Sequence, residues 1–214
     1  RALIADFAGY RQKQLEDGRF TLHRATAAFT GAHSLQLTPL DGSPSFQIKS
    51  RAFCVATGSV SSVPPIPGLE QTGYWTSDDV LDTDTLPASC IVLGGGAIAL
   101  EMAHYLDGVG TRVTLIQRSP QLLTGTDPQA GDVVAKSFRH RGMDVHCGTQ
   151  IEEVQRLDNG LKEVRFTEGA QEHRVAAEEI LVALGRSPAT EGLGLAEAGV
   201  KLKKQKIIVQ PTQQ

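Results

Sequence analysis

Residues 90–103 read CIVLGGGAIALEMA, an apolar run that meets three glycines and then turns helical. Its first four residues fit a buried strand of a parallel sheet, apolar on both faces. AIALEMAHYLDG (97–108) is predicted as the helix that follows, ended by Gly108 and Gly110. Between strand and helix, Gly94, Gly96 and Ala99 match G-x-G-x-x-G/A. The pattern alone is weak, but after a strand, at the start of a helix and inside a β-α-β unit it is specific for a dinucleotide. Gly94 serves the tight turn, Gly96 lets a pyrophosphate approach the backbone, and Ala99 allows helix and strand to pack closely. The helix N-terminus adds N–H donors and partial positive charge for phosphate. Ile98, Met102 and Leu106 are expected in the core. Glu101 lies one turn past the loop, within reach of the nicotinamide end, although a lone helical Glu usually faces solvent.

The pattern continues downstream. TRVTLIQ (111–117) is a second strand, DPQAGDVVAKSFRHRG (127–142) a second helix and MDVHCGT (143–149) a third strand. Asp127 suits the N-cap, Pro128 the first turn and Gly142 the end of that helix. This β-α-β-α-β order predicts a parallel sheet with right-handed crossovers. IEEVQRL (151–157) and LKEVRFTE (161–168), joined through Asp158-Asn159-Gly160, form a predicted hairpin, and EEILVALG (178–185) returns as an apolar strand. Such folds place an acid for the ribose 2′-hydroxyl about 20 residues beyond the glycine loop. Here that position holds Gln117, followed by Arg118 and Ser119. A carboxylate would repel a 2′-phosphate, whereas Arg118 offers a guanidinium fork that suits one. NADPH is therefore expected ahead of NADH.

Upstream, RALIADFAGYRQKQLE (1–16) reads as a helix with Leu3, Ile4, Phe7 and Tyr10 on one face and Gly18 past its end. Strand-like runs follow at 19–30, 33–40 and 45–57, the last two separated by the turn LDGSP. Thr57, Gly58 and Ser59 break the pattern. SSVPPIPGLE (61–70), with Pro64, Pro65, Pro67 and Gly68, is an extended connector and an expected domain boundary.

The 214 residues, 40% hydrophobic, suffice for one large domain or two small ones. A net charge of −3 gives no reason to expect nucleic acid, and KLKKQK (201–206) reads as a solvated strand edge or loop. No apolar stretch approaches the roughly 18 residues of a membrane helix, and no signal peptide is visible. Cys54 and Cys90 sit in apolar runs and are expected in the core. Cys147 beside His146, with His140, lacks a third ligand at metal-site spacing. Unpaired cysteines fit a reducing cytoplasm. Residue 1 is Arg, so the chain is expected to begin inside a longer protein.

Five segments together resemble the pyridine nucleotide–disulfide oxidoreductases, the family of dihydrolipoamide dehydrogenase, glutathione reductase and mercuric reductase. They are CVATGS (54–59), PPIPGLE (64–70), TSDDVLDTDTLPASCIVLGGGAIALEMA (76–103), RVTLIQRSPQLL (112–123) and LVALGRSP (181–188). LIQRSPQLL looks most like the mercuric reductase branch. The resemblance implies an α/β protein: a Rossmann-like NAD(P)-binding domain with a parallel sheet and a β-meander, joined to part of a FAD-binding domain. It divides the chain into a second half of the FAD domain (1–72), an NAD(P)H domain (73–185) and a return segment (186–214). Gly94, Gly96, Ala97 and Ile98 would line the pyrophosphate and nicotinamide path, with Glu101 near the nicotinamide amide. Gly185 would offer a backbone contact and Ile151 the adenine side, while Thr57 and Gly58 belong to the FAD side. Ala97 replaces an aromatic gate common in the family, and Ala189 replaces an Asn.

The family's first glycine fingerprint, its CxxxxC redox pair, its A-x-G-D run and its dimerisation domain with a catalytic His are not found in this sequence. The expectation is hydride transfer from NADPH to FAD, then to a disulfide or metal substrate, in a longer, homodimeric protein. This chain alone is expected to bind NAD(P)H without FAD, to carry no catalytic residue, and to be a monomer or weakly associated. The alternative is a free-standing, non-catalytic dinucleotide-binding or interaction module. A short-chain dehydrogenase is disfavoured, because Tyr74 and Tyr105 are followed four residues on by Asp78 and Val109 rather than Lys.

Overall fold

The computed structural model describes residues 2–212. These form two compact units, one of the residues up to Gly58 together with those from Pro188 onward, the other of Ser59–Ser187. The first unit opens with helix α1 (Ala2–Leu15) and continues into an antiparallel sheet of β1 (Ala25–Gly31), β2 (Ser34–Pro39) and β3 (Phe46–Lys49). The predicted helix forms, but its apolar face is exposed: Leu3, Ile4, Phe7 and Tyr10 are 58–84% accessible. The strand expected over 45–57 stops at Lys49, and residues 52–58 are not in regular structure. Without a sheet neighbour Cys54 is exposed, which corrects its expected place in the core.

The second unit begins with β4 (Ser59–Ser61), α2 (Leu69–Thr72) and α3 (Ser77–Asp82). The proline-rich connector therefore belongs to this unit, not to a free linker. Its apolar residues explain why: Leu69 is fully buried, and Val63 and Ile66 pack against the same cluster. Gly68 sits so close to the Val154 carbonyl that a Cβ there would meet the oxygen at 1.9 Å. Neither α2 nor α3 announces itself by periodicity, since each spans less than two turns. α3 does carry a start signal: the Asp79 carboxylate accepts from the Thr76 N–H at 2.6 Å and from its hydroxyl at 2.7 Å.

Next come β5 (Ser89–Leu93), α4 (Ala97–Gly108), β6 (Arg112–Gln117), α5 (Pro128–His140) and β7 (Asp144–Cys147). A meander follows, of β8 (Thr149–Arg156), β9 (Lys162–Glu168) and β10 (Gln171–Ala177), then β11 (Glu179–Val182) and β12 (Arg186–Pro188), which pairs with β4. The expected parallel sheet forms in the order β11-β5-β6-β7, and Trp75 adds a bridge to Leu181 at its outer edge. A short exposed hairpin, β13 (Leu202–Lys203) and β14 (Lys206–Ile207), lies in the first unit, turned by Lys204 and Gln205 at φ of 50° and 63°. It is the basic run, in the solvated role expected of it.

Every residue of β5 is buried because both faces of the sheet are covered. Val92, Leu115 and Leu181 meet Ala99, Ala103 and Leu106 of α4 and Phe138 of α5. Ile91, Leu93, Ile116, Ile180 and Val182 meet Val154, Val164 and Phe166 of the meander. Alternate residues of each strand thus serve opposite cores, giving three layers: helices, parallel sheet and meander. Each of the Val, Leu, Ile and Phe side chains contributes about 1.5–3 kcal/mol when fully buried. On α4 the buried face is Ala99, Leu100, Ala103 and Leu106; Met102 packs at its margin. Ile98, expected in the core, is only half-buried, because it flanks the glycine loop at the helix start.

A candidate dinucleotide site

The C-terminal ends of the parallel strands carry the site. Gly94 has φ of 126°, and a Cβ there would lie 2.4 Å from the Ala183 carbonyl oxygen. Only glycine meets both demands. That approach, with the Gly94 N–H donating to the Ile116 carbonyl at 2.9 Å, fixes the turn between β11 and β6. Ala99 is fully buried and its Cβ would stand 3.5 Å from a Cβ at Gly94, which is why a small residue is needed there. Gly96 differs: a Cβ on it would meet nothing within 4 Å. Its missing side chain leaves room for a ligand and is not required by the fold.

Gly96 is also the N-cap of α4, and no side chain caps that helix. α5 contrasts with it, because Asp127 accepts from the Gln129 N–H at 2.9 Å. The donors at the start of α4 therefore face the open side of the loop.

Two cavities flank Gly96. The larger, of about 680 Å³, brings Gly94, Gly96, Gln117, Arg118, Ser119, Ile151 and Gly185 to one surface. The smaller, of about 280 Å³, is lined by Gly96, Ala97, Ile98, Gly185, Ser77 and Arg186. Among the described residues no carboxylate lines either, whereas Arg118 lines one and Arg186 the other. An anion entering this site therefore meets positive charge and N–H donors without like-charge repulsion.

The walls are held by a few directed contacts. The Arg186 guanidinium donates to the Ser59 hydroxyl at 2.7 Å and to the Ser59 carbonyl at 2.6 Å, and the Ser62 N–H donates to the Gly185 carbonyl at 2.9 Å. The Thr149 hydroxyl donates to the Gln117 carbonyl at 3.0 Å, and the Gly148 N–H to the Ser119 carbonyl at 2.9 Å. Behind the strands, Cys90 is buried against Glu179, and burial above all pushes its thiol up to about 12.

Of the residues singled out in the sequence, Glu101 lines neither cavity and stands on the exposed side of α4. Thr57 and Gly58 lie in the first unit, where the Thr57 hydroxyl donates to the Ala189 carbonyl at 2.8 Å. Sequence reasoning missed Gly95, Thr124, Thr149 and Ser77. The third glycine of the loop was a visible signal for the first; the others are ordinary surface residue types, brought in by folding alone.

The family model described as pyridine nucleotide-disulphide oxidoreductase matches residues 4–214, and the chain belongs to that family. It is 34% identical over 191 residues to a mercuric reductase of Staphylococcus aureus, covering 89% of this chain and 34% of that one. A dihydrolipoyl dehydrogenase of Chlorobaculum tepidum is 34% identical over 180 residues, covering 83% and 38%. Among solved structures, the Cu(II) complex of the C43S mutant of the HOCl-induced flavoprotein disulfide reductase RclA from Escherichia coli superposes with a TM-score of 0.85. The identity is 26%, over 96% of this chain and 46% of that one. The chain thus spans about a third of its curated relatives and under half of that structure. Among the described residues no helix is long and apolar enough to cross a membrane.

Proposed function

We propose that Ser59–Ser187 is the NAD(P)H-binding portion of a FAD-dependent pyridine nucleotide–disulfide oxidoreductase. The observation that carries this reading is the meeting of the glycine loop and the end of β6 in one carboxylate-free cavity of about 680 Å³. The residues fit a dinucleotide on two counts: Gly96 leaves open the space its Cβ would fill, and α4 starts without a side-chain cap. Gly94, Gly96 and the α4 N-terminus hold the pyrophosphate. Gln117, Arg118, Ser119 and Ile151 border the adenosine end. Ala97, Ile98 and Gly185 border the nicotinamide end; Glu101, proposed near the nicotinamide amide, stands on the exposed side of α4 one turn beyond them. NAD(P)H supplies a hydride, and FAD in the whole protein would receive it and pass reducing equivalents to a disulfide or metal substrate. The protein's part is orientation: the rigid β5-loop-α4 turn fixes the phosphates, and so the reach of the nicotinamide. Ala97 leaves that end without the aromatic gate.

NADPH is the preferred donor and NADH the second choice, since Arg118 can pair with a 2′-phosphate and no acid replaces Gln117. The first unit, with Thr57 and Gly58, is proposed as part of the FAD domain, and the whole protein as a homodimer. Three free cysteines favour a reducing, cytoplasmic setting. Titration with NADPH and NADH, followed by nicotinamide fluorescence, tests the proposal. Saturable binding with NADPH tighter is expected; no binding of either would overturn it.

A further inference from the structure

Gly95 is the one glycine of the loop that lies outside the G-x-G-x-x-A pattern, and the structure gives it a reason. A Cβ on Gly95 would meet the Gln117 Cγ and Cδ at 2.8 Å and the Leu122 Cδ2 at 2.9 Å. The Gln117 side chain therefore lies across Gly95 instead of reaching freely into the cavity. Its amide Nε2 donates to the Gln121 carbonyl and to the Thr124 hydroxyl, each at 3.4 Å, and the Thr124 hydroxyl donates to that same carbonyl at 3.3 Å. The loop that receives these bonds is fastened from two further sides. The Leu123 N–H donates to the Gly95 carbonyl at 2.8 Å, with Leu123 at φ of 53°, a costly backbone conformation for a leucine. Leu122 is buried, and its carbonyl oxygen would be 2.4 Å from a Cβ on Gly131 of α5, so that helix also needs a glycine. Thr124 itself lines the larger cavity beside Arg118 and Ser119.

We infer that Gln117 is a positioning residue, and that through Thr124 it holds the loop Gln121–Thr124 as one wall of the adenosine subsite. This rests on the proposed NAD(P)H site. Gln117 occupies the position where a ribose ligand is expected, but its packing against Gly95 and its two loop bonds use it for the wall. Thr124, absent from any sequence motif, becomes a second positioning residue of the adenosine wall, because it receives the Gln117 amide and is part of the lining.

The test is a double-mutant cycle in the full protein, with Gln117→Leu and Thr124→Val, titrated with NADPH, NADH, 2′,5′-ADP and NMN. Each single substitution is expected to weaken the three adenosine-containing probes alike, by about three- to tenfold, the scale of one lost hydrogen bond. The double variant should lose clearly less than the sum of the two single losses, since the side chains share one bond and bind the same Gln121 carbonyl. NMN, which lacks the adenosine end, should bind as before. Thr124→Ser, which keeps the hydroxyl, should restore wild-type affinity. Additive losses, or a loss in Gln117→Leu with none in Thr124→Val, would overturn the inference and return Gln117 to direct ribose contact. A wild-type protein that binds none of the four probes would instead refute the site itself.

Discussion

The Nδ1 of His146 lies 2.7 Å from a carboxylate oxygen of Glu168, tying the outer strand of the parallel sheet to the meander. The bond from His146 holds the Glu168 carboxyl below its ordinary 4.5, against the opposing effect of partial burial. A depressed carboxyl stabilises the fold above its unfolded value and loses that contribution as pH falls through the folded one. Glu168→Gln is expected to cost at most about 1 kcal/mol near neutral pH, because the carboxylate is a third exposed. In melting curves between about pH 7 and about pH 3, the gap to wild type should close on the acid side. A gap of constant size would show that the Glu168 carboxyl is not depressed in the fold.

Two glycines of one loop should fail differently. Gly94→Ala forces a Cβ to 2.4 Å from the Ala183 carbonyl at φ of 126°, and should cost about 2–4 kcal/mol of stability. Gly96→Ala meets nothing within 4 Å and should melt like wild type. It should still bind NADPH at least about tenfold more weakly, because the methyl enters the phosphate path. Calorimetry and a thermal melt on each variant separate the two outcomes. A Gly94→Ala protein that melts like wild type would disprove the close-approach argument.

Lys162 and Glu179 form a buried pair between β9 and β11, with side chains 7% and 14% exposed. Lys162→Met leaves the carboxylate without its partner and should destabilise by about 3–5 kcal/mol. Adding Glu179→Leu should recover much of that loss, since an apolar pair of similar size suits the site. Denaturant midpoints would show this, and a double variant weaker than the single one would contradict it.

Thiol labelling should rank the cysteines. Cys54 is exposed and should react with iodoacetamide in the folded protein. Cys90, buried with its thiol at about 12, should react only on unfolding. Mass spectrometry of the native reaction reads the order; early modification of Cys90 would mean that β5 opens readily.

Charge reversal at Arg118 addresses the donor. Arg118→Glu should weaken NADPH by about tenfold or more and NADH far less, as expected for loss of a charged partner to the 2′-phosphate. Equal loss of both in calorimetry would make Arg118 an ordinary surface residue.

Much of the second unit is legible in the sequence. β5, α4, β6, α5, β7 and the β8–β9 hairpin stand where periodicity, capping and turn residues put them, because those signals act over a few residues. β10 was named only through the implied meander; its residues alternate weakly and gain their place from pairing with β9 along its whole length. The connector, expected to mark a boundary, follows directly on the division at Gly58 and Ser59, but Leu69 and Ile66 are drawn into the second unit's core by Val154, more than 80 residues away. Cys54 misled: an apolar run reads as core whether or not a neighbour covers it.

The sequence by itself determined the β-α-β frame, the turn at Gly94 and the open approach at Gly96, because each follows from backbone geometry within a short span. Only the tertiary structure decided that Gly95 must be glycine, that Gln117 lies along the loop and that Thr124 joins the site. Those outcomes depend on which strands and loops come into contact, and side-chain packing across such distances leaves no periodic trace in the chain.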